Sequence, residues 1–107
     1  MKKVYLFCSA GMSTSMLAAA MQKSADAHKL PMSVKAFPHN KLGEIIASDR
    51  PDCILLGPQV KYMLKETEDK YGKEGIPIAV IDAGDYGKMD GEKVLKFAIL
   101  QMKKNKK

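Results

Sequence analysis

A cysteine near the amino terminus stands where an apolar run gives way to small residues. The run 4–7 ends at Cys8, and the next seven residues are Ser9, Ala10, Gly11, Met12, Ser13, Thr14 and Ser15. The apolar run predicts a buried strand, and the residues after it have helical spacing, so Cys8 is expected at a strand-to-helix turn. Backbone N–H groups and the positive end of a helix dipole favour a thiolate there and bind phosphoryl dianions. We therefore expect Cys8 to carry a phosphoryl group, with residues 9–15 as its phosphate-binding loop and Gly11 easing the turn.

Apolar runs and helical patterns alternate along the rest of the chain. Strands are predicted at residues 4–7, 32–37, 53–56 and 78–81. Helices are predicted at 15–28, 42–46, 60–67 and 94–102, the last with Asp90 as its N-cap. This order predicts one α/β domain over residues 1–107, an open four-stranded parallel sheet of order 2-1-3-4 with helices on both faces.

The carboxyl ends of parallel strands share one edge of a sheet, and ligands bind at that edge. Residues 57–59, residues 82–87 and His39 are expected there with Cys8, whereas Arg50 precedes a strand and is expected at the opposite edge. Residues 82–87 are interpreted as a loop.

Several side chains near that edge have two interpretations. Asp82 or Asp85 is either a general acid or part of a turn, and the turn is favoured. His39 is either a phosphoryl acceptor or an ordinary surface histidine. Far from that edge, Cys53 begins a strand and is interpreted as a core thiol. Met16 is interpreted as a residue of a helix face and of gap filling, and not as part of a metal or cofactor site.

Composition narrows the class of protein. The net charge is +6, yet four of the last five residues are lysines and the chain has one arginine, which disfavours nucleic acid binding. Neither a C-x-x-C pair nor a Cys/His cluster is present, so no metal and no cofactor are expected. Without a membrane span or a signal segment, the expected location is the cytoplasm, where thiols stay reduced.

The cysteine loop resembles the phosphate cradle of low-molecular-weight tyrosine phosphatases, whose topology the predicted sheet also resembles. Those enzymes use C-x5-R, in which an arginine clamps the phosphate. The matching position in this chain is Thr14. Without the arginine, the extra charge that stabilises a hydrolytic transition state is missing, so the loop suits phosphoryl transfer better than hydrolysis.

A second resemblance covers nearly the whole chain. Four segments look like the IIB component of the lactose/cellobiose branch of the bacterial phosphotransferase system. They are residues 5–15, Ala36-Phe37-Pro38, residues 55–64 and residues 86–95.

The resemblance implies a phosphocysteine enzyme of sugar uptake, a protein-phosphohistidine–sugar phosphotransferase. Cys8 receives the phosphoryl group from a phosphohistidine of a IIA protein and passes it to a disaccharide of the cellobiose, chitobiose or lactose type held by the membrane IIC protein. We expect Gln59, Tyr62 and Tyr86 to face these partners, and the chain to reach the membrane only through IIC. Two alternatives stay open: an arginine-less phosphatase or arsenate reductase, and a regulatory binding module without catalysis.

Overall fold

A computed structural model of the chain describes the backbone of residues 2–8 and 11–105 and the side chains of residues 2–8 and 14–104. The strands are β1 (Lys2–Cys8), β2 (Met32–Pro38), β3 (Cys53–Leu56) and β4 (Ile78–Val80). The α-helices are α1 (Gly11–Ala27), α2 (Leu42–Ser48), α3 (Leu64–Tyr71), α4 (Ala83–Gly87) and α5 (Gly91–Asn105). Short 3-10 turns occupy His39–Lys41, Pro58–Met63 and Gly72–Glu74.

The four strands form one parallel sheet of order β2-β1-β3-β4, which confirms the predicted topology. In its register, Cys8 of β1 lies beside Pro38 of β2, and Phe7 lies beside Leu56 of β3. Because every strand runs in the same direction, the ends of β1, β2 and β3 meet at one edge, which we call the carboxyl edge.

Side chains of β1 alternate between two hydrophobic cores, one on each face of the sheet. Val4 and Leu6 pack into the core that also contains residues of α1 and α5. Tyr5 and Phe7 pack into the core formed with α2 and with residues that follow β3. Cys8 shares the parity of Leu6, so its side chain points to the face that carries α1 and α5.

Helix α5 approaches α1 very closely at its first residue. A Cβ atom built on Gly91 would lie 2.5 Å from the carbonyl carbon of Ala20 and 2.7 Å from its Cβ. Asp90 caps the helix, since its Oδ1 accepts from the N–H of Lys93 at 3.1 Å, as the sequence predicts. The close contact between Gly91 and Ala20 fixes the start of α5 against α1. It thereby also fixes α4, which directly precedes α5 in the chain.

Most boundaries differ from the sequence prediction by one to four residues, and three of the differences bear on the site or on the sheet. Helix α1 begins at Gly11 and not at Ser15, because its first turn, Gly11-Met12-Ser13-Thr14, contains a single apolar side chain and so carries no apolar periodicity. The predicted helix 60–67 is divided into a 3-10 turn and α3, with a kink at Val60 (φ −118°, ψ 28°). Strand β4 ends at Val80, one residue earlier than predicted.

The interpretation of residues 82–87 as a loop is incomplete, because α4 occupies Ala83–Gly87. Asp82 caps this helix by accepting from the N–H of Asp85 at 3.1 Å. Across the described ranges 2–8 and 11–105, no helix combines the length and apolar character needed to cross a membrane.

Candidate active site

Cys8 ends β1 and has no solvent-exposed area, and its sulfur is hydrogen-bonded to the hydroxyl of Thr14. Thr14 lies in the first turn of α1 and is itself fully buried. The first turn of a helix presents backbone N–H groups and the positive end of the dipole, which attract anions. The geometry therefore holds the sulfur of Cys8 beside the start of α1, a position that suits an anion.

Tyr86 of α4 completes a buried chain of polar groups with these two residues. Its hydroxyl lies 2.9 Å from Oγ1 of Thr14 and 4.0 Å from the sulfur of Cys8. A thiolate accepts hydrogen bonds only, so with Cys8 ionised Thr14 donates to the sulfur and Tyr86 donates to Thr14. The expectation that Tyr86 faces a partner is wrong, because only 6% of the residue is exposed and its hydroxyl belongs to the site.

The loop after β3 forms a second wall of the site. The N–H of Gly57 donates to the carbonyl of Phe7 at 2.8 Å, which holds the loop next to the end of β1. A Cβ atom on Gly57 would lie 2.7 Å from Cβ of Cys8 and 2.9 Å from Oε1 of Gln59. The absence of a side chain at position 57 is thus what allows the loop to approach Cys8.

Two large apolar side chains near the carboxyl edge lie in solvent. Tyr62, in the 3-10 turn after β3, is 72% exposed. Met16, in the second turn of α1, is 62% exposed, so it lies on a helix face as interpreted but fills no gap in packing. Gln59 is also exposed. We call Met16, Gln59 and Tyr62 the rim of the site.

The acidic and histidine candidates have other surroundings. Asp82 caps α4, and Asp85 forms an ion pair with Lys93 at 3.2 Å. His39 lines a cavity of about 170 Å³ together with residues of α2 and α3. This cavity lies on one face of the sheet, and the side chain of Cys8 points to the other face. The structure thus brings none of these three side chains into the chain formed by Cys8, Thr14 and Tyr86.

Cys53 and Arg50 lie where the sequence predicts. Cys53 begins β3 and is fully buried, and burial together with the negative charge of Asp52 raises the pKa of its thiol to about 12. It therefore stays protonated and unreactive at neutral pH. Arg50 forms an ion pair with Glu74 near the amino ends of the strands, away from Cys8.

Part of the predicted phosphate-binding loop lies outside the described residues. This holds for Ser9 and Ala10 and for the side chains of Met12 and Ser13. The backbone from Gly11 to Ser15 belongs to α1, so this part of the predicted loop is the first turn of a right-handed helix. Where the structure is described, no three His, Cys, Asp or Glu side chains are grouped so as to hold a metal ion.

The chain was compared with protein-family models and with curated proteins. A family model described as "PTS system, Lactose/Cellobiose specific IIB subunit" matches residues 3–97. The PTS system galactose-specific EIIB component of Lactococcus lactis subsp. cremoris and the cellobiose-specific EIIB component of L. lactis subsp. lactis are each 41% identical to it over 100 residues, covering 91% of this chain and 93% of theirs. The oligo-beta-mannoside-specific EIIB component of Bacillus subtilis is 33% identical over 102 residues, covering 95% and 97%.

Solved structures show the same architecture. The cellobiose-specific phosphotransferase IIB component from Borrelia burgdorferi superposes with a TM-score of 0.77 at 38% identity, covering 97% of this chain and 94% of that one. The lactose-specific IIB component domain from Streptococcus pneumoniae gives a TM-score of 0.82 at 22% identity, covering 94% and 96%. The second likeness shows the fold alone.

Proposed function

The chain belongs to the lactose/cellobiose-specific IIB subunits of the bacterial phosphotransferase system, and from this premise we propose that Cys8 carries the phosphoryl group as a phosphocysteine. The observation that supports this most directly is the hydrogen bond between the sulfur of Cys8 and the hydroxyl of Thr14, at the start of α1. Backbone groups 9–15 are the proposed phosphoryl ligands, with the Thr14 hydroxyl beside them.

The proposed cycle has two transfers. In the first, the thiolate of Cys8 attacks the phosphorus of a phosphohistidine on a IIA protein, the N–P bond breaks, and its electron pair returns to the ring nitrogen, while the imidazole takes up one proton from solvent. In the second, a sugar hydroxyl held by the membrane IIC protein attacks the phosphorus, the S–P bond breaks, and its electron pair returns to sulfur. The hydroxyl proton passes to solvent. No cofactor enters either step.

Burial of Cys8 constrains how these transfers begin. The sulfur has no exposed area, so residues that cover it must shift before phosphorus reaches it. The rim residues Met16, Gln59 and Tyr62 offer an exposed, partly apolar surface at this edge. We propose that IIA and IIC dock on this rim in turn, with the carrier on the cytoplasmic side of the membrane.

A carrier fits the site better than a phosphatase does. Thr14 stands at the position of the phosphatase arginine, and the arginine of this chain is paired with Glu74 near the opposite edge. Hydrogen bonds to a charged group contribute about 1.5–3 kcal/mol each, enough for several amides to stabilise a bound phosphoryl group. Hydrolysis demands in addition a positive charge for the transition state, which this arrangement lacks.

The proposed sugar is a disaccharide of the cellobiose type. The names of the relatives include cellobiose, galactose and oligo-beta-mannoside. The sugar is bound by IIC in the proposed cycle, so this chain does not need a sugar pocket of its own.

The test is intact-mass measurement after incubation with a phosphorylated IIA donor. We expect one added phosphate on the wild-type protein, one on Cys53→Ser and none on Cys8→Ser. Cys53→Ser is the matched control, because it removes the other thiol and leaves the carboxyl edge unchanged. Phosphate uptake by Cys8→Ser, or its loss in Cys53→Ser, would contradict the proposal.

A further inference from the structure

We propose that the carboxamide of Gln59 is a side-chain ligand of the phosphoryl group on Cys8, donating a hydrogen bond from Nε2 to a phosphoryl oxygen. This inference rests on the proposed function, because it assigns a role to Gln59 in the phosphorylated state of the same site. It adds to the partner-facing role that the sequence suggests for this residue and that its place on the rim gives it.

The argument begins with the space beside Gly57. Cβ of Cys8 and Oε1 of Gln59 both lie within 2.9 Å of the point where a Cβ atom of residue 57 would be. The two atoms can therefore be no farther apart than twice that distance. Although Gln59 is two residues beyond the glycine and exposed to solvent, its side chain folds back toward Cys8.

The glycine is required by this contact and not by its backbone conformation. Gly57 has φ −64° and ψ 153°, an extended conformation that any residue adopts. Its N–H is bonded to Phe7, and its carbonyl accepts from the N–H of Val60 at 3.0 Å, so the loop on both sides of Gln59 is fixed. A side chain at position 57 would occupy the gap that Cys8 and Gln59 share.

The chemistry of a carboxamide suits this position. The group is neutral, so it does not repel a phosphoryl dianion as a carboxylate would, and its NH₂ provides two donors. Nε2 and Oε1 are bonded to the same carbon, and rotation about the last side-chain torsion exchanges their places. Phosphoryl oxygens extend beyond the sulfur, and Gln59 can bind them from the β3 side while the start of α1 binds them from the other.

The experiment compares Gln59→Leu and Gln59→Glu with the wild type and with Gln101→Glu as a control. Gln101 lies in α5 beside Ile78 at the start of β4, far from the carboxyl edge. Two quantities are measured for each protein: the equilibrium distribution of phosphate between the IIA donor and Cys8, and the pKa of the phosphoryl group from a ³¹P NMR titration.

We expect Gln59→Leu to shift the equilibrium about fivefold to tenfold toward the donor, as for one partly exposed hydrogen bond to a charged group. Gln59→Glu should shift it further and raise the phosphoryl pKa, because its carboxylate repels the dianion. Gln101→Glu should match the wild type in both quantities.

Two results would overturn the inference while leaving the proposed function intact. One is that both Gln59 variants show the same distribution of phosphate and the same phosphoryl pKa as the wild-type protein. The other is a slower rate of transfer from IIA, followed in the same incubations, with both quantities unchanged, which would leave Gln59 with its docking role on the rim alone. Failure of the wild-type protein to accept phosphate on Cys8 would instead overturn the proposed function, and this inference with it.

Discussion

The hydroxyl of Tyr86 lies 2.9 Å from the hydroxyl of Thr14, and this contact joins α4 to the first turn of α1 inside the protein. Thr14 is in turn hydrogen-bonded to the sulfur of Cys8. Helix α4 therefore supports the proposed nucleophile through the Thr14 hydroxyl, and the Tyr86 hydroxyl also lies within hydrogen-bond distance of the sulfur itself, at 4.0 Å. Tyr86 thus positions both Thr14 and Cys8.

Replacing Tyr86 by Phe removes this hydroxyl and keeps the ring. We expect a loss of about 0.5–1.5 kcal/mol in the free energy of unfolding, the usual contribution of one hydrogen bond. Phosphoryl transfer to Cys8 should slow by about two- to fivefold, because the Thr14 hydroxyl is no longer polarised by a donor. Urea unfolding and the single-turnover transfer rate measure the two effects.

Tyr62→Phe is the matched control, since the Tyr62 side chain is largely exposed. It should have wild-type stability. If Tyr86→Phe unfolds at the same urea concentration as the wild type and transfers phosphate at the same rate, the contact with Thr14 has no positioning role.

A second prediction concerns the packing of α5 on α1. An alanine at position 91 would place its Cβ 2.5 Å from the carbonyl carbon of Ala20, so the two helices must separate. We expect Gly91→Ala to lower the free energy of unfolding by about 1–3 kcal/mol, as overpacked sites do. Gly87→Ala is the control, because its new Cβ has no atom within 4 Å apart from its own residue, its chain neighbours and the backbone of its own helix. Equal stability of the two variants in urea unfolding would show that α5 accommodates the methyl group without cost.

The sheet could be predicted from the sequence because β1, β3 and β4 contain short apolar runs, which are typical of parallel strands buried on both faces. Strand β2 instead alternates apolar and polar residues, as a less buried strand does. The position of Cys8 followed from the apolar run of β1, since the cysteine stands where that run ends. Arg50 and Cys53 could be placed by their order relative to the third strand.

The interior of the site could not be predicted in the same way. Tyr86 follows a segment with the composition of a turn, and its burial depends on how α4 packs against α1. One local signal was available: Asp82 and Asp85 have the three-residue spacing of a helix N-cap and its first turn. The side chain of Gln59 can fold back toward Cys8 because residue 57 has no side chain. The hydrophobic periodicity of a sequence does not reveal such a contact.

A third prediction separates the carrier from a phosphatase. We expect turnover of an aryl phosphate such as p-nitrophenyl phosphate to be indistinguishable from that of Cys8→Ser, because Thr14 supplies no positive charge to the transition state. The measurement is release of the phenol at several enzyme concentrations. Turnover that rises with enzyme concentration and disappears in Cys8→Ser would favour the phosphatase alternative.

A polar cluster distant from Cys8 links β1 to the segment before β3. Asp49 accepts hydrogen bonds from the ammonium group of Lys3 and from the hydroxyl of Tyr5. These two hydrogen bonds hold the pKa of the Asp49 carboxyl below its ordinary value of 3.8, and the bond from Lys3 has the larger effect. Burial, followed by the bond to Asp49, raises the pKa of Tyr5 to about 12.

The lowered pKa of Asp49 predicts a dependence of stability on acid. A carboxyl whose pKa is lower in the folded than in the unfolded protein stabilises the fold at any pH above its pKa in the unfolded protein. This contribution is lost as the pH falls through its pKa in the folded protein. We therefore expect the wild-type protein to have a higher free energy of unfolding than Asp49→Asn at pH 6. This difference should shrink below about pH 4. Urea unfolding from pH 6 to pH 2.5 measures it, with Asp69→Asn as the control, since Asp69 is an exposed residue of α3. A difference between wild type and Asp49→Asn that stays constant over this range would mean that the contacts with Lys3 and Tyr5 do not favour the ionised carboxylate.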